Sequence, residues 1–187
     1  MFQVFVTKQT SRFCGTNRQL SRYDPSVLNR CPSCGQNDEP SGHITRCPDP
    51  GRRQMWKHSV AEMSDWLAST VTDIPFRYMI TEYLHHQGSK LMTECSPSLP
   101  HLQNLATQHD RLGWDNFVEG RISSHYLTTV KSSLPSRSRL TPTSWAKKFV
   151  HQLMIGTHKQ WLFRNAHVHY KNSTVSPQQN TQGYSQG

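Results

Sequence analysis

Residues 31–48 read CPSCGQNDEPSGHITRCP and gather three of the chain's five cysteines and one histidine among turn-forming residues. Pro32, Gly35, Asn37, Pro40 and Gly42 each oppose a long regular element, and little in the stretch is large and apolar enough to bury. Such a segment needs an external staple. The ligand spacing supplies one: Cys31-x2-Cys34-x8-His43-x3-Cys47. Two cysteines separated by two residues make a tight thiolate pair. His43 and Cys47, four apart, reach the same side of one helical turn or a compact loop. Together they form a Cys3His set, the usual closed environment of structural Zn2+. Binding at such sites contributes on the order of 10 kcal/mol or more to folding. Four protein ligands leave no open position for an activated water, so hydrolytic or Lewis-acid work is not expected. Cys14 stands as a substitute ligand or a core thiol, and Cys95 reads as a bystander.

The metal reading depends on compartment. The N-terminal MFQVFVTKQTSRF lacks the longer apolar run and small-residue cleavage site of a secretory signal. No run approaches the roughly 20 apolar residues of a membrane span. The expected chain is soluble and intracellular, the nucleus included, with no membrane partner. Thiols there stay reduced, and clustered cysteines point to metal rather than disulfides. The NST sequon at Asn172 is then idle.

With 187 residues, the chain has room for one ordinary domain, or a small stapled module plus a modest helical one. An apolar fraction of 34% and a mean hydropathy of −0.73 suggest a thin core rather than a compact enzyme. Five tryptophans and seven phenylalanines still argue for packing.

Residues 2–14 suit a short helix or a strand, leading into a loop marked by Gly15, Asn17, Asp24 and Pro25. Asp49 before Pro50 reads as a helix N-cap with proline in the first turn. Trp56, Val60, Met63 and Leu67 then follow at spacings of four, three and four, one face of a helix. Asp73 or Pro75 opens a second helix with Phe76, Met79, Ile80, Tyr83 and Leu84 inward, ending near Gly88. A third runs from Pro100 to Leu112 and stops at Gly113, and LGWDNFVEGRI adds a short fourth. The Ser, Pro and Arg of LPSRSRLTP read as a linker. Thr141 or Ser144 caps a long segment through Trp145, Phe149, Leu153, Trp161 and Phe163 towards Tyr170, with a bend at Gly156. The expected class is mainly α: a Cys3His zinc-stapled loop module, an α-helical region, a long C-terminal helix and a disordered tail. The boundaries are a basic segment at 1–30, the zinc module at 31–48, helices at 49–134, a linker at 135–143, a basic helix at 144–171 and the tail at 172–187.

Charge follows that order. Residues 1–119 carry twelve charges of each sign, so the nine Lys and Arg after Glu119, unaccompanied by any acid, account for the whole formal +9. One-signed basic segments attract polyanions, because neutralised phosphates release counterions. Lys147, Lys148, Lys159, Arg164, Arg137 and Arg139 are the candidate contacts to DNA or RNA. The aromatics of HKQWLFRN are expected in the core, with its cations in water.

Two pieces of the sequence resemble known families. CPSCG…HITRCP looks like the CCHC zinc-binding region that follows the polymerase domain in reverse transcriptases of non-LTR retrotransposons. LGWDNFVEGRI and THKQWLFRNAHVH resemble uncharacterised mobile-element-derived proteins of microbial eukaryotes. The resemblance implies a zinc-stapled, nucleic-acid-associated protein with Cys31, Cys34, His43 and Cys47 as ligands. It does not extend to a polymerase: no Tyr-x-Asp-Asp signature occurs, and eight residues separate Cys34 from His43, unlike the shorter interval of the retroviral nucleocapsid knuckle.

Asp115 and Glu119 with His167 and His169 have the residue types of a metal-dependent nuclease, but no further carboxylate follows Glu119, and two-metal chemistry needs several. A solvated acidic helix face is expected instead, and His85 and His86 are expected as exposed residues at a helix end. The expectation is a non-catalytic, zinc-dependent nucleic-acid binder. The alternative is a helical protein-interaction scaffold docking through the Trp56 to Leu67 face.

Overall fold

The computed structural model describes residues 2–71, 73–96, 98–136 and 138–174, with side chains up to residue 168. Its helices, in chain order, are α1 (Phe2–Thr10), α2 (Asn17–Leu20), α3 (His43–Arg46), α4 (Pro50–Thr70), α5 (Ile74–His86), α6 (Met92–Cys95), α7 (Pro100–Val118), α8 (His125–Ser133) and α9 (Pro142–Thr174). Among the described residues there is no strand, only an isolated antiparallel bridge between Arg30 and Asn37. The chain is mainly α, as its periodicity indicates, with the Cys/His cluster ahead of the helical array. Of the two forms open to residues 2–14, the helix is realised. The expected disordered tail falls largely on residues 175–187, outside the described residues, and 172–174 still belong to α9.

Short polar side chains start the long helices. The Arg52 N–H donates to Asp49 Oδ1 at 3.0 Å, opening α4, and the Phe76 N–H donates to Asp73 Oδ1 at 3.1 Å, opening α5. For α9 the cap is Thr141, whose Oγ1 accepts from the Ser144 N–H at 3.1 Å. Each such cap is worth about 1 kcal/mol. Gly113, with φ 72° and ψ 168°, breaks α7 into two arms, the expected third and fourth helices. After α5 the chain turns through Gln87 (φ 49°) and Gly88 (φ 74°). A Cβ on Gly88 would lie 2.5 Å from that of Trp114, so the turn requires glycine twice over.

Three short helices depart from the expectation: α2 forms inside the expected loop around Asn17, and α6 and α8 lie where no helix is expected. The Asp110 carboxylate on α7 accepts the N–H groups of Met92 and Thr93 at 2.6 and 3.1 Å, capping α6 from outside. α8 is held by burial of Tyr126 and Val130, one turn apart.

α9 runs unbroken through Gly156 for 33 residues, about 50 Å at 1.5 Å per residue. The buried glycine faces α4 with room to spare: a Cβ there would meet Ser59 Cβ at 3.4 Å, an ordinary contact. α9 packs against α1, α3, α4, α7 and α8, and buries Trp145, Phe149 and Leu153 among them. Rings fill this core more completely than the mean hydropathy suggests. Trp145 and Phe149 stack at 5.0 Å, and Tyr126 lies 5.6 Å beyond Phe149. Trp56, Val60, Met63 and Leu67 all lie in the same core. That face is therefore not a docking surface, which corrects the scaffold reading in its original form. A second cluster, Phe5, Cys14, Ile44 and Met154, joins α1 and the Cys/His loop to α9.

Candidate metal centre

The ligand loop is shaped first by its backbone. The Gly35 N–H donates to the Cys31 carbonyl at 2.9 Å and the Cys31 N–H donates to the Gln36 carbonyl at 2.9 Å, with Gly35 at φ 75°. This tight turn brings the two thiols of Cys-Pro-Ser-Cys-Gly together. Eight residues later the His43 N–H donates to the Pro40 carbonyl at 3.0 Å and starts α3. Cys47 follows in extended conformation. One helical turn thus separates His43 from Cys47, as their spacing predicts.

The four donor atoms lie within 4.8 Å of one another. Cys31 Sγ is 3.7 Å from Cys47 Sγ, and Cys34 Sγ is 3.4 Å from His43 Nε2. Cys31, Cys47 and His43 are buried and Cys34 is partly so. The contact between the Cys31 and Cys47 sulfurs lowers the Cys31 thiol from its ordinary value, helped by His43 and the Cys34 and Ser33 N–H groups, and together with burial it raises Cys47. Three sulfurs and one imidazole, gathered at these distances, form a set able to hold one metal ion.

Arg52 supplies an independent sign of charge at this cluster. Its side chain sits in the first turn of α4, 1% exposed. Nη1 reaches Cys31 Sγ at 3.8 Å, Nε donates to Gln160 Oε1 at 3.4 Å, and Nη2 donates to the Ile44 carbonyl. Among the described residues no carboxylate lies within ion-pair distance of it. A buried guanidinium without an anion costs several kcal/mol. A divalent ion held by three thiolates and a neutral imidazole carries a net charge of −1, and so balances Arg52. Nothing in the residue pattern signals this role directly. The nearest signal was the Asp49 cap, which fixes the first turn of α4 two residues after Cys47.

A second tie joins the loop to α9. Glu39, fully buried between Cys34 and His43, accepts from Arg164 Nε at 3.0 Å and Nη2 at 2.7 Å, and from the Asn17 N–H at 2.7 Å. Arg164 Nη2 also donates to Asn17 Oδ1 at 2.8 Å. Its side chain is 3% exposed. Arg164 therefore cannot serve as the phosphate contact expected from its place in a basic helix, because a buried carboxylate neutralises it.

The other expected contacts differ among themselves. Lys147, Lys148 and Arg139 are exposed. Lys159 pairs with Glu62 at 2.8 Å. Arg137 lies outside the described residues. The aromatics nearby are half-buried rather than in the core as expected: Trp161 packs near Phe5 at 6.3 Å, with the Arg164 guanidinium 5.3 Å from its ring, and Phe163 stacks on His167 at 5.2 Å.

The nuclease grouping does not assemble. Arg46 pairs with Asp115 at 3.1 Å, Arg12 with Glu119 at 2.9 Å, and Arg121 with Glu119 as well. Glu119 is 3% exposed, so it is a buried ion-paired acid rather than the solvated one expected. The side chain of His169 lies outside the described residues. Cys14 is the core thiol of its two readings: its Sγ donates to Gln9 Oε1 at 3.0 Å, and burial pushes it up to about 12. Cys95 is apart from the cluster. No described helix is long and apolar enough to cross a membrane.

No protein-family model matches the chain, and no curated protein or solved structure shows significant similarity to it.

Proposed function

We propose that this protein binds DNA or RNA without catalysing a reaction, and that a structural zinc ion in the Cys31, Cys34, His43, Cys47 centre holds its N-terminal half in shape. Zinc suits the donor set, since soft thiolates with one imidazole in a closed tetrahedron select it. At Zn–S about 2.3 Å and Zn–N about 2.0 Å, tetrahedral edges are about 3.8 and 3.5 Å; two of the six donor pairs lie near these values, at 3.7 and 3.4 Å, and all lie within 4.8 Å. The observation that carries nucleic-acid binding is the exposed, acid-free group of Arg139, Lys147 and Lys148, within a segment that carries all of the net charge. An origin in a retrotransposon or similar mobile element, and a nuclear site of action, belong to the same reading, supported by the likeness of residues 31–48 to CCHC regions.

Binding of this kind is mostly phosphate contact, so the observed association constant falls steeply with salt. Titration of labelled single- and double-stranded oligonucleotides across a salt series tests it. No binding at low salt, or an affinity indifferent to salt, overturns the proposal.

A second reading, a helical protein-interaction scaffold, is favoured by one feature. An apolar groove of about 410 Å3 between α8 and α9 is lined by Ile122, Leu127, Ala146 and Val150. A protein partner captured after nuclease treatment and lost on Leu127→Asp would favour it.

A further inference from the structure

Arg46 separates two clefts, one charge-balanced and one free of acids. On one side, a cleft of about 580 Å3 has Arg12, Arg18 and Arg46 along its walls. Each of these is matched by an acid, Glu119 at 2.9 Å, Asp38 at 3.3 Å and Asp115 at 3.1 Å respectively. A polyanion entering there would have to displace three carboxylates. On the other side, the end of α3 and the first turn of α4 face the end of α5 across a cleft of about 490 Å3. Arg46, Arg53, His85, His86 and Ser89 line it, and no carboxylate does.

The groups in this second cleft differ in availability. Arg46 is fixed to the wall, its Nε donating to the Gln87 carbonyl at 3.2 Å while Nη2 meets Asp115. His86 faces Glu82, one turn back on α5, at 3.7 Å. Arg53 and His85 are exposed, and neither has an ion pair among the described residues. The free Arg53 guanidinium with the His85 imidazole beside it suits the non-bridging oxygens of a phosphate, which Arg takes bidentately. The positive ground continues beyond the opening. Lys57 lies one turn after Arg53 on α4, Lys90 follows Ser89, and both are exposed. An open cleft continued by cations on both sides suits a run of linked phosphates rather than a single small anion.

We propose that this cleft, with Arg53 and His85 as its free donors, binds the phosphodiester backbone of a nucleic acid. The proposal rests on the nucleic-acid reading above and adds to it a contact face on residues that composition does not single out. The metal loop builds one wall, since Arg46 immediately precedes the ligand Cys47. The zinc centre thereby positions a binding surface as well as stapling a loop.

The test uses the zinc-loaded full chain and fluorescence anisotropy with labelled single- and double-stranded oligonucleotides over a salt series. Arg53→Gln/His85→Gln should bind about tenfold more weakly, the effect of losing charge-assisted hydrogen bonds. Its log–log salt slope should fall by about one unit. Both side chains are exposed, so zinc content and melting temperature should match the wild type. Arg53→Lys/His85→Gln restores the charge and should recover the slope. If the wild type binds and Arg53→Gln/His85→Gln binds equally, with the loss appearing only in Lys147→Gln/Lys148→Gln, the cleft is not a contact and this inference alone fails. If the wild type binds no nucleic acid, both readings fall.

Discussion

Replacing Arg164 by methionine separates a surface cation from a buried tie. In the structure Arg164 gives Glu39 two hydrogen bonds, at 3.0 and 2.7 Å, and among the described residues the other donor to that carboxylate is the Asn17 N–H at 2.7 Å. With the Glu39 side chain at 0% exposure, removing the guanidinium strands a charge in the interior. Losing one partner of a buried pair costs about 3–5 kcal/mol, a large part of the total stability of an ordinary domain. With a urea m-value near 2 kcal/mol/M, Arg164→Met should lower the unfolding midpoint by about 1.5–2.5 M, measured with zinc in excess. Glu39→Leu/Arg164→Met should recover much of that loss, because no charge is then left behind. Since Glu39 sits in the ligand loop, the single variant should also yield zinc to a chelator more readily. Its salt slope for oligonucleotides should stay at the wild-type value. An unchanged midpoint together with a slope reduced by one unit would refute the reasoning and return Arg164 to the surface.

Arg52→Met should weaken zinc retention in a chelator competition, because the anionic centre loses its buried counter-charge, whereas Arg53→Gln beside it should leave retention unchanged. Gly156→Ala should be neutral or stabilising by up to about 1 kcal/mol, since its Cβ meets Ser59 at ordinary contact distance. Gly88→Ala, with φ 74° and a 2.5 Å approach to Trp114, should lower the melting temperature sharply; equal effects at both glycines would contradict the packing described. Burial lowers the His109 imidazole to about 4 from 6.5, so the unfolded chain takes up a proton between those values that the folded chain refuses. The resulting stability is complete above pH 6.5 and is lost as pH falls through the window, on the order of 3 kcal/mol in all. Denaturation of wild type and His109→Phe from pH 7 to 4 should show a flatter pH dependence in the variant.

What was legible in the sequence has a physical pattern. The Cys/His spacing identifies the ligand set because metal geometry is local, and Asp49, Asp73, Thr141 and Gly113 mark helix boundaries because caps and turns are local too. α6 was illegible because its cap, Asp110, comes from another helix. α8 was missed because HYLTTVKSS is rich in β-branched residues with weak helical preference, and only the burial of Tyr126 and Val130 decides the matter. The charged residues were the least legible. Arg164 looks like its neighbours in a basic helix, yet its partner lies 125 residues away. Arg52 looks like one of two adjacent arginines at a helix start, and nothing in Arg52-Arg53 says which one turns inward. Helical phase relative to a core that does not yet exist settles such questions.

The long-range tie between Glu39 and Arg164 also sets a timetable. During synthesis the ligand loop is complete once Cys47 has emerged, but the arginine that neutralises its buried glutamate is made 125 residues after Glu39. At about 5–20 residues per second, that is a wait of roughly 6–25 s. Over most of that interval the nascent segment has its Cys and His cluster but not its interior charge balance, and Glu39 must remain hydrated. The N-terminal half can therefore reach its final form only after the helix that encloses it has been translated, and a ribosome stalled before Arg164 would hold a loop unable to close.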